Sequence, residues 1–422
     1  MSNASRNHGH ESVNRLRMKP DSQRPGQIRE FEGLRGLLAV WVVFVHSILL
    51  SGMILQLNSG LPAALTRGLL QGQQGVALFM ILSGFVVSMQ LARPGATMGR
   101  FMTSRFFRIY PNYLLSLGLA VVTVFLMPGI LETGHWFRDP HFESMHAVSF
   151  QERSHLHWHL LFHVFLIQAA IPNAWFPEAQ WAILAPAWSL SHEWQFYLIA
   201  PRLRKAAFSP FGLMTIAVIA VVAARLAARL SLGLEWSILT TLPLFLIGIL
   251  TYRIHERVVS RPEIKLSEAM MPLCGLTAFS ILANWKFLPI TAWTIVYGAV
   301  LAADRIDSTR CGAILACFSG LLKTRFFVWL GSISYALYLF HWPFMIIVLA
   351  AALKVRPDLT SVQAMALFVA FIPVMLWLCH LIHSSIGLPA SAFGKRLRTE
   401  ARQYPEPIAK SPTRAASTGL RP

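Results

Sequence analysis

The sequence predicts an all-α integral membrane protein: a bundle of about ten transmembrane helices with both termini cytoplasmic. Three observations predict it. Of the 422 residues, 55% are apolar and 13% charged, whereas soluble domains run at about 45–50% apolar and about a quarter charged. The apolar residues gather into separate runs near the ~20 residues that a helix needs to cross a bilayer. The charges are lopsided, 37 Lys and Arg against 19 Asp and Glu for a net +18. On a soluble protein that excess points to nucleic acid. Between apolar runs it marks loops held on the cytoplasmic side, and no nucleic-acid partner is expected.

In chain order the expected spans are 36–55, 74–92, 109–130, 183–200, 209–230, 236–252, 269–285, 288–303, 327–352 and 362–384. The first is preceded by a long polar stretch, and no small-residue cleavage site follows its apolar run, so it is expected to stay as an anchor. An eleventh apolar stretch, 158–172, is short and opens among His157, His159 and His163.

Ten spans place the two tails and the segments 93–108, 201–208, 253–267 and 304–326 on one side. That side holds 29 of the 37 basic residues and the other side holds 8. The positive-inside rule assigns the rich side to the cytoplasm. Were 158–172 a span, the basic segments after it would move outside and the asymmetry would vanish. It is therefore expected to be re-entrant or interfacial. Residues 1–35 and 390–422, rich in Arg, Ser, Pro and Gln, are expected to be disordered basic cytoplasmic tails flanking one transmembrane domain, 36–389. No internal repeat is visible, which argues against repeat-built transporters. Cys274, Cys311, Cys317 and Cys379 form neither a disulfide framework nor a zinc spacing.

Ionisable residues inside spans are costly and mark functional sites. His46 stands at the centre of the first span, with Arg35 eleven positions earlier. Eleven helical residues turn through about 1100°, which leaves the two about 20° apart and about 16 Å apart along the axis. Glu32 lies on the same side, almost one turn further out. Glu193 is the second buried-looking acid, expected near the outer part of its span and able to orient or deprotonate a catalytic imidazole. Arg105 and Arg108, three apart just before a span, share a helix face and can fork onto phosphate oxygens. Ser334, Tyr338 and His341 form a polar stripe at i, i+4 and i+7. His155, His159 and His163 have a spacing that one metal ion would accept, yet no HExxH is present and no metal is expected. Interface roles and acceptor contacts suit these histidines, Trp136 and Trp158 better.

The opening Glu32-Gly33-Leu34-Arg35-Gly36, then ten residues and His46, resembles the first motif of the membrane acyltransferase-3 family. Four further blocks resemble that family in order. They are Gly75 to Phe85 (with Ala77 and Met80 departing), Phe101 to Pro111 with Arg105 and Arg108, Trp188-Ser189-Leu190 through Glu193 to Phe196-Tyr197, and Gly331 to Pro343 with Ser334, Tyr335, Tyr338 and His341. The likeness fails at the end, where His383, Gly387 and Pro389 stand without the family's acid. The sequence runs 33 residues past Pro389, so the extracytoplasmic domain that some members append is not expected.

The resemblance implies an acyl-CoA-dependent O-acyltransferase of the inner (plasma) membrane. Acetyl-CoA is the expected donor, and a hydroxyl on an envelope polysaccharide or lipid-linked oligosaccharide the expected acceptor, with a lipid or secondary metabolite as the alternative. His46 would act as general base or as an acylated nucleophile, with Arg35 and Glu193 in support. Arg35, Arg105 and Arg108 would hold the donor, and Trp188, Ser334, Tyr338 and His341 would contact substrate. From another class, a proton-coupled transporter relaying through His46 and Glu193 is the competing expectation.

Overall fold

The computed structural model describes residues 28–60, 62, 70, 72–207, 209–234, 236–283, 285–303 and 310–403. Most of the two expected tails lies outside these residues. The helices, in chain order, are α1 (Arg29–Leu50), α2 (Met53–Gly60), α3 (Gly72–Leu91), α4 (Met98–Thr133), α5 (Glu143–Ser154), α6 (Leu156–Val164), α7 (Trp188–Ala207) and α8 (Pro210–Arg229). They continue with α9 (Ile238–Ser260), α10 (Leu266–Leu282), α11 (Phe287–Ala303), α12 (Arg310–Leu322), α13 (Arg325–Val355), α14 (Ser361–Ile382) and α15 (Leu388–Gln403). No strand occurs among the described residues.

All ten expected spans fall on helices. Among the described residues, seven helical segments are long and apolar enough to cross a membrane: α1, α3, α4, α8, α9, α13 and the continuous run Ser361–Leu397. The helices on the remaining three expected spans fall short of that measure, so the expected count of about ten is not reached by length and composition. Helices α10 and α11 have 17 residues each, and α7 is amphiphilic rather than apolar, carrying His192, Glu193 and Arg202. The stretch 158–172 yields only the nine-residue α6 and a 3-10 turn. Nine helical residues rise about 13 Å against a hydrocarbon core of about 30 Å.

Local chemistry sets the boundaries. Thr97 caps α4 by accepting from the Arg100 N–H, and Thr360 with Gln363 forms a capping box on α14. Helix α1 stops short of residue 55 because Gly52 takes φ +76°, a conformation open chiefly to glycine. The exposed end of α1 is then covered by Trp136, whose indole N–H donates to the Leu50 carbonyl at 3.1 Å. Three segments differ from expectation. Residues 29–35 and 390–403, read as tail, are helical, and the segment 304–326, read as a loop, contains α12. Helix α12 docks on α1 through Glu30, which receives the Ser319 hydroxyl at 2.7 Å and pairs with Lys323 at 2.7 Å.

The centre of the bundle is α1 packed on α13 and α3, with α3 on α9 and α13 on α4. Two glycine pairs bring these backbones together. A Cβ on Gly36 would run into Gly331 and Leu330, and one on Gly331 into the Glu32 carbonyl. A Cβ on Gly84 would meet the Phe245 carbonyl, and one on Gly248 the Ile81 carbonyl. Small residues at such crossings are what tight helix association in a membrane requires, because packing rather than hydrophobicity drives it there. Hydroxyls add cross-links between α4 and α13: Ser116 donates to the Leu339 carbonyl at 2.9 Å, and Tyr335 donates to the Ile109 carbonyl at 3.0 Å. The outward faces are apolar, as with Phe211, Met214, Val218 and Val222 on α8.

Candidate active site

Helix α1 carries His46, and the close α1–α13 crossing brings it against His341. The His46 Nδ1 lies 2.8 Å from the His341 Nε2, with the two rings within 11° of parallel. His341 is fully buried, and its Nδ1 lies 3.0 Å from the Leu337 carbonyl. A carbonyl only accepts, so His341 carries its proton on Nδ1 and offers a lone pair at Nε2. His46 must then donate from its own Nδ1, which leaves its Nε2 as a lone pair. The Trp342 ring stands edge-on to His46, with centroids 5.3 Å apart.

His46 lines a cavity of about 530 Å³ that is walled by α1, α3 and α4 and roofed by the segment 141–188. The roof contributes His141, Ser144, Glu152, Glu178, Trp181 and Trp188. Backbone strain shapes this roof, since Glu178 and Ile183 take φ +59° and +57°, where side chains other than glycine are disfavoured. The Ile183 N–H donates to the Glu152 carboxylate at 2.8 Å, which ties the strained turn to α5. Burial pushes the Glu152 carboxyl up to about 7, against the opposing influence of that N–H and of Arg153.

A second, smaller space of about 90 Å³ adjoins the first and is lined by Arg35, Arg105, Arg108, Ser83, Glu193, Tyr197, Ser334 and Tyr335. Three guanidinium groups face one carboxylate. Glu193 accepts from Ser83 at 2.8 Å and from Tyr197. Arg105 is 2% exposed, lies over the Phe101 and Tyr197 rings at 5.4 and 4.7 Å, and keeps Nε and Nη2 without a hydrogen-bond partner among the described residues. A buried cation with unused donors is expensive, and charge-assisted hydrogen bonds to an anion are what such donors can make.

The structure gathers the sequence candidates into two groups. Arg35, Arg105, Arg108, Glu193 and Ser334 share the arginine chamber; His46 and Trp188 line the larger cavity; Tyr338 lines both. Glu193 does not meet the His46 imidazole, as it would to orient or deprotonate it. Helix α7 begins only at Trp188, and its second turn faces Ser83 of α3, so the partner of His46 is His341 instead. His192 points away from Glu193, to the Trp236 carbonyl and the Thr241 hydroxyl.

Trp136 is buried at the end of α1 and Trp158 is exposed, so neither lines the cavity. Sequence reasoning missed Glu152, Glu178, Trp181 and Trp342. Trp342 is adjacent to His341 in the late motif and was open to notice. The others sit in a turn with no periodicity to reveal them. His155 and His159 stand against Phe176, while His163 bonds the Tyr113 hydroxyl. Among the described residues, no three metal-ligating side chains converge.

A family model described as an acyltransferase domain matches residues 28–383, which spans every group above. No curated protein matches the chain, and no solved structure does.

Proposed function

The chain belongs to the acyltransferase-3 family, and we propose that it is an inner-membrane O-acyltransferase working from cytoplasmic acyl-CoA, with acetyl-CoA as donor. The acceptor in this reading is a hydroxyl of an envelope polysaccharide or of its lipid-linked precursor. One observation carries the reading: His46, held through its Nδ1 by the Leu337–His341 chain, lines a large cavity beside a chamber of three arginines.

Arg105 and Arg108 take the phosphates of the donor, and Arg35 takes its pantetheine end. Glu193 supports the arginines electrostatically, acting on Arg35 and Arg105. Trp181 and Trp188 supply flat apolar surfaces for a sugar ring, with Glu178 and Ser144 as polar contacts. His46 is the general base. The acceptor hydroxyl oxygen attacks the thioester carbon while His46 Nε2 takes its proton. A C–O bond forms, the C–S bond breaks, and CoA leaves as thiolate, which the imidazolium then protonates. His341 holds the tautomer.

Ten spans with both termini cytoplasmic set the arginines toward the donor, and the placement of 29 of 37 basic residues supports that orientation. The test is envelope glycan analysis of a deletion strain complemented with wild type, His46→Ala or Arg35→Ala. The expected result is loss of O-acetyl on deletion and rescue by wild type alone. Full rescue by His46→Ala overturns the mechanism, and unchanged O-acetylation on deletion overturns the acceptor.

A further inference from the structure

The two spaces meet at Tyr338 and Val76, the two residues that line both. Tyr338 is latched across the junction. Its hydroxyl donates to the Pro186 carbonyl at 2.7 Å and lies 2.7 Å from the Ser189 hydroxyl. A phenol has one proton and the carbonyl takes it, so Ser189 is the donor in the second bond. The Tyr338 ring meets Phe79 edge-on at 5.9 Å and faces His341 at 6.1 Å. An aromatic ring, an aliphatic side chain and a second aromatic therefore bound the way from the arginines to His46.

We propose that Tyr338 and Val76 form an acyl-selective neck, which passes an unbranched acyl thioester to His46 and rejects one branched next to the carbonyl. The proposal rests on the donor and base assignments above. A donor held by its phosphates in the arginine chamber reaches His46 acyl end first, so the acyl group is the first part to cross the neck. An unbranched acyl is no wider than the pantetheine chain that must follow it. A branch beside the thioester carbonyl adds width at the point where carbon and sulfur occupy the neck. The cavity beyond is roomy, so width at the junction decides rather than total acyl volume. Displacing Tyr338 breaks two hydrogen bonds, and an arriving donor has to offset that loss.

The test compares acetyl-, butyryl- and isobutyryl-CoA, the last two equal in carbon count and different in width. CoA thiol release is measured in open membrane vesicles that contain the full chain and keep the native envelope glycans as hydroxyl acceptor, as wild type, Tyr338→Ala, Val76→Ala and Val76→Ile. The expected result is an isobutyryl-to-acetyl rate ratio at least about tenfold higher in Tyr338→Ala and Val76→Ala, the lower end of what an extra methyl is worth in a tight pocket. Val76→Ile is expected to lower that ratio, and the butyryl-to-acetyl ratio is expected to move less throughout. An unchanged isobutyryl-to-acetyl ratio in Val76→Ala, the milder change, overturns the neck even if Tyr338→Ala fails to fold. The functional reading fails separately: wild type then releases no CoA from acetyl-CoA, or His46→Ala releases it as fast.

Discussion

The His46 Nδ1 sits 2.8 Å from the His341 Nε2 across a sequence separation of 295 residues, and the direction of that bond is dictated by the Leu337 carbonyl behind it. In the proposed mechanism the pair works as base and holder: removing the base removes its share of proton transfer, and removing the holder frees the ring to turn and to exchange tautomers. His46→Ala is therefore expected to lower kcat for acyl transfer by about 10²–10⁴-fold. His341→Ala is expected to lower it by about 10²-fold through misplacement, with the KM for acetyl-CoA within about twofold of wild type. His341→Gln keeps an acceptor for the His46 N–H and should recover part of the loss. Steady-state CoA release checks all three, and a His341→Ala variant whose defect lies in KM refutes the positioning role.

Arg105 poses a trade between stability and binding. Its guanidinium is buried with two unused donors beside two other cations and one carboxylate, so its desolvation is poorly repaid in the fold. Arg105→Met is expected to unfold no earlier than wild type on heating without donor. It should also raise the KM for acetyl-CoA by about 10–150-fold, the worth of about 1.5–3 kcal/mol of charged hydrogen bonding. A variant that melts early with an unchanged KM shows that Arg105 serves the fold instead.

The motif glycines at the helix crossings are packing residues. A Cβ on Gly331 collides with backbone at Glu32, which cannot move without displacing α1, whereas Gly118 on α4 has open space around it. Gly331→Ala is expected to destabilise by about 1–3 kcal/mol or more through overpacking. Gly118→Ala is expected to be neutral or stabilising by up to about 1 kcal/mol, because alanine favours the helix. Thermal unfolding in detergent compares the two, and equal effects remove the argument from backbone contact.

Apolar runs of span length were legible because the bilayer imposes one requirement on each helix by itself. The positions of α1, α3, α4, α9 and α13 were therefore readable from composition alone. Arg35 and His46 were readable as one stripe for the same reason, since both lie on one helix. The His46–His341 contact was not, because it depends on where Gly36 lets α13 approach α1. Glu193 read as a buried acid able to orient or deprotonate an imidazole, yet on α7 its carboxylate accepts from Ser83 of α3. The roof residues Glu152, Glu178 and Trp181 were hidden further, because strained turns at Glu178 and Ile183 follow no hydrophobic period.

The roof should loosen in acid, and His163 supplies the reason. It lies outside the spanning helices, fully buried, with Nδ1 at 3.1 Å from the Tyr113 hydroxyl. Burial first, and then the neighbouring His159, push its pKa from 6.5 down to about 3, with a backbone contact at Ala182 opposing. Between those values the folded form binds fewer protons than the unfolded one, so stability rises with pH across that range. The contribution of His163 is whole above about 6.5 and is lost as pH falls toward 3. Hydrogen exchange of the α6 peptides should accelerate between pH 7.5 and 5 beyond the intrinsic pH effect, and His163→Gln should flatten that change. An identical pH slope in wild type and His163→Gln would assign the acid sensitivity to other groups.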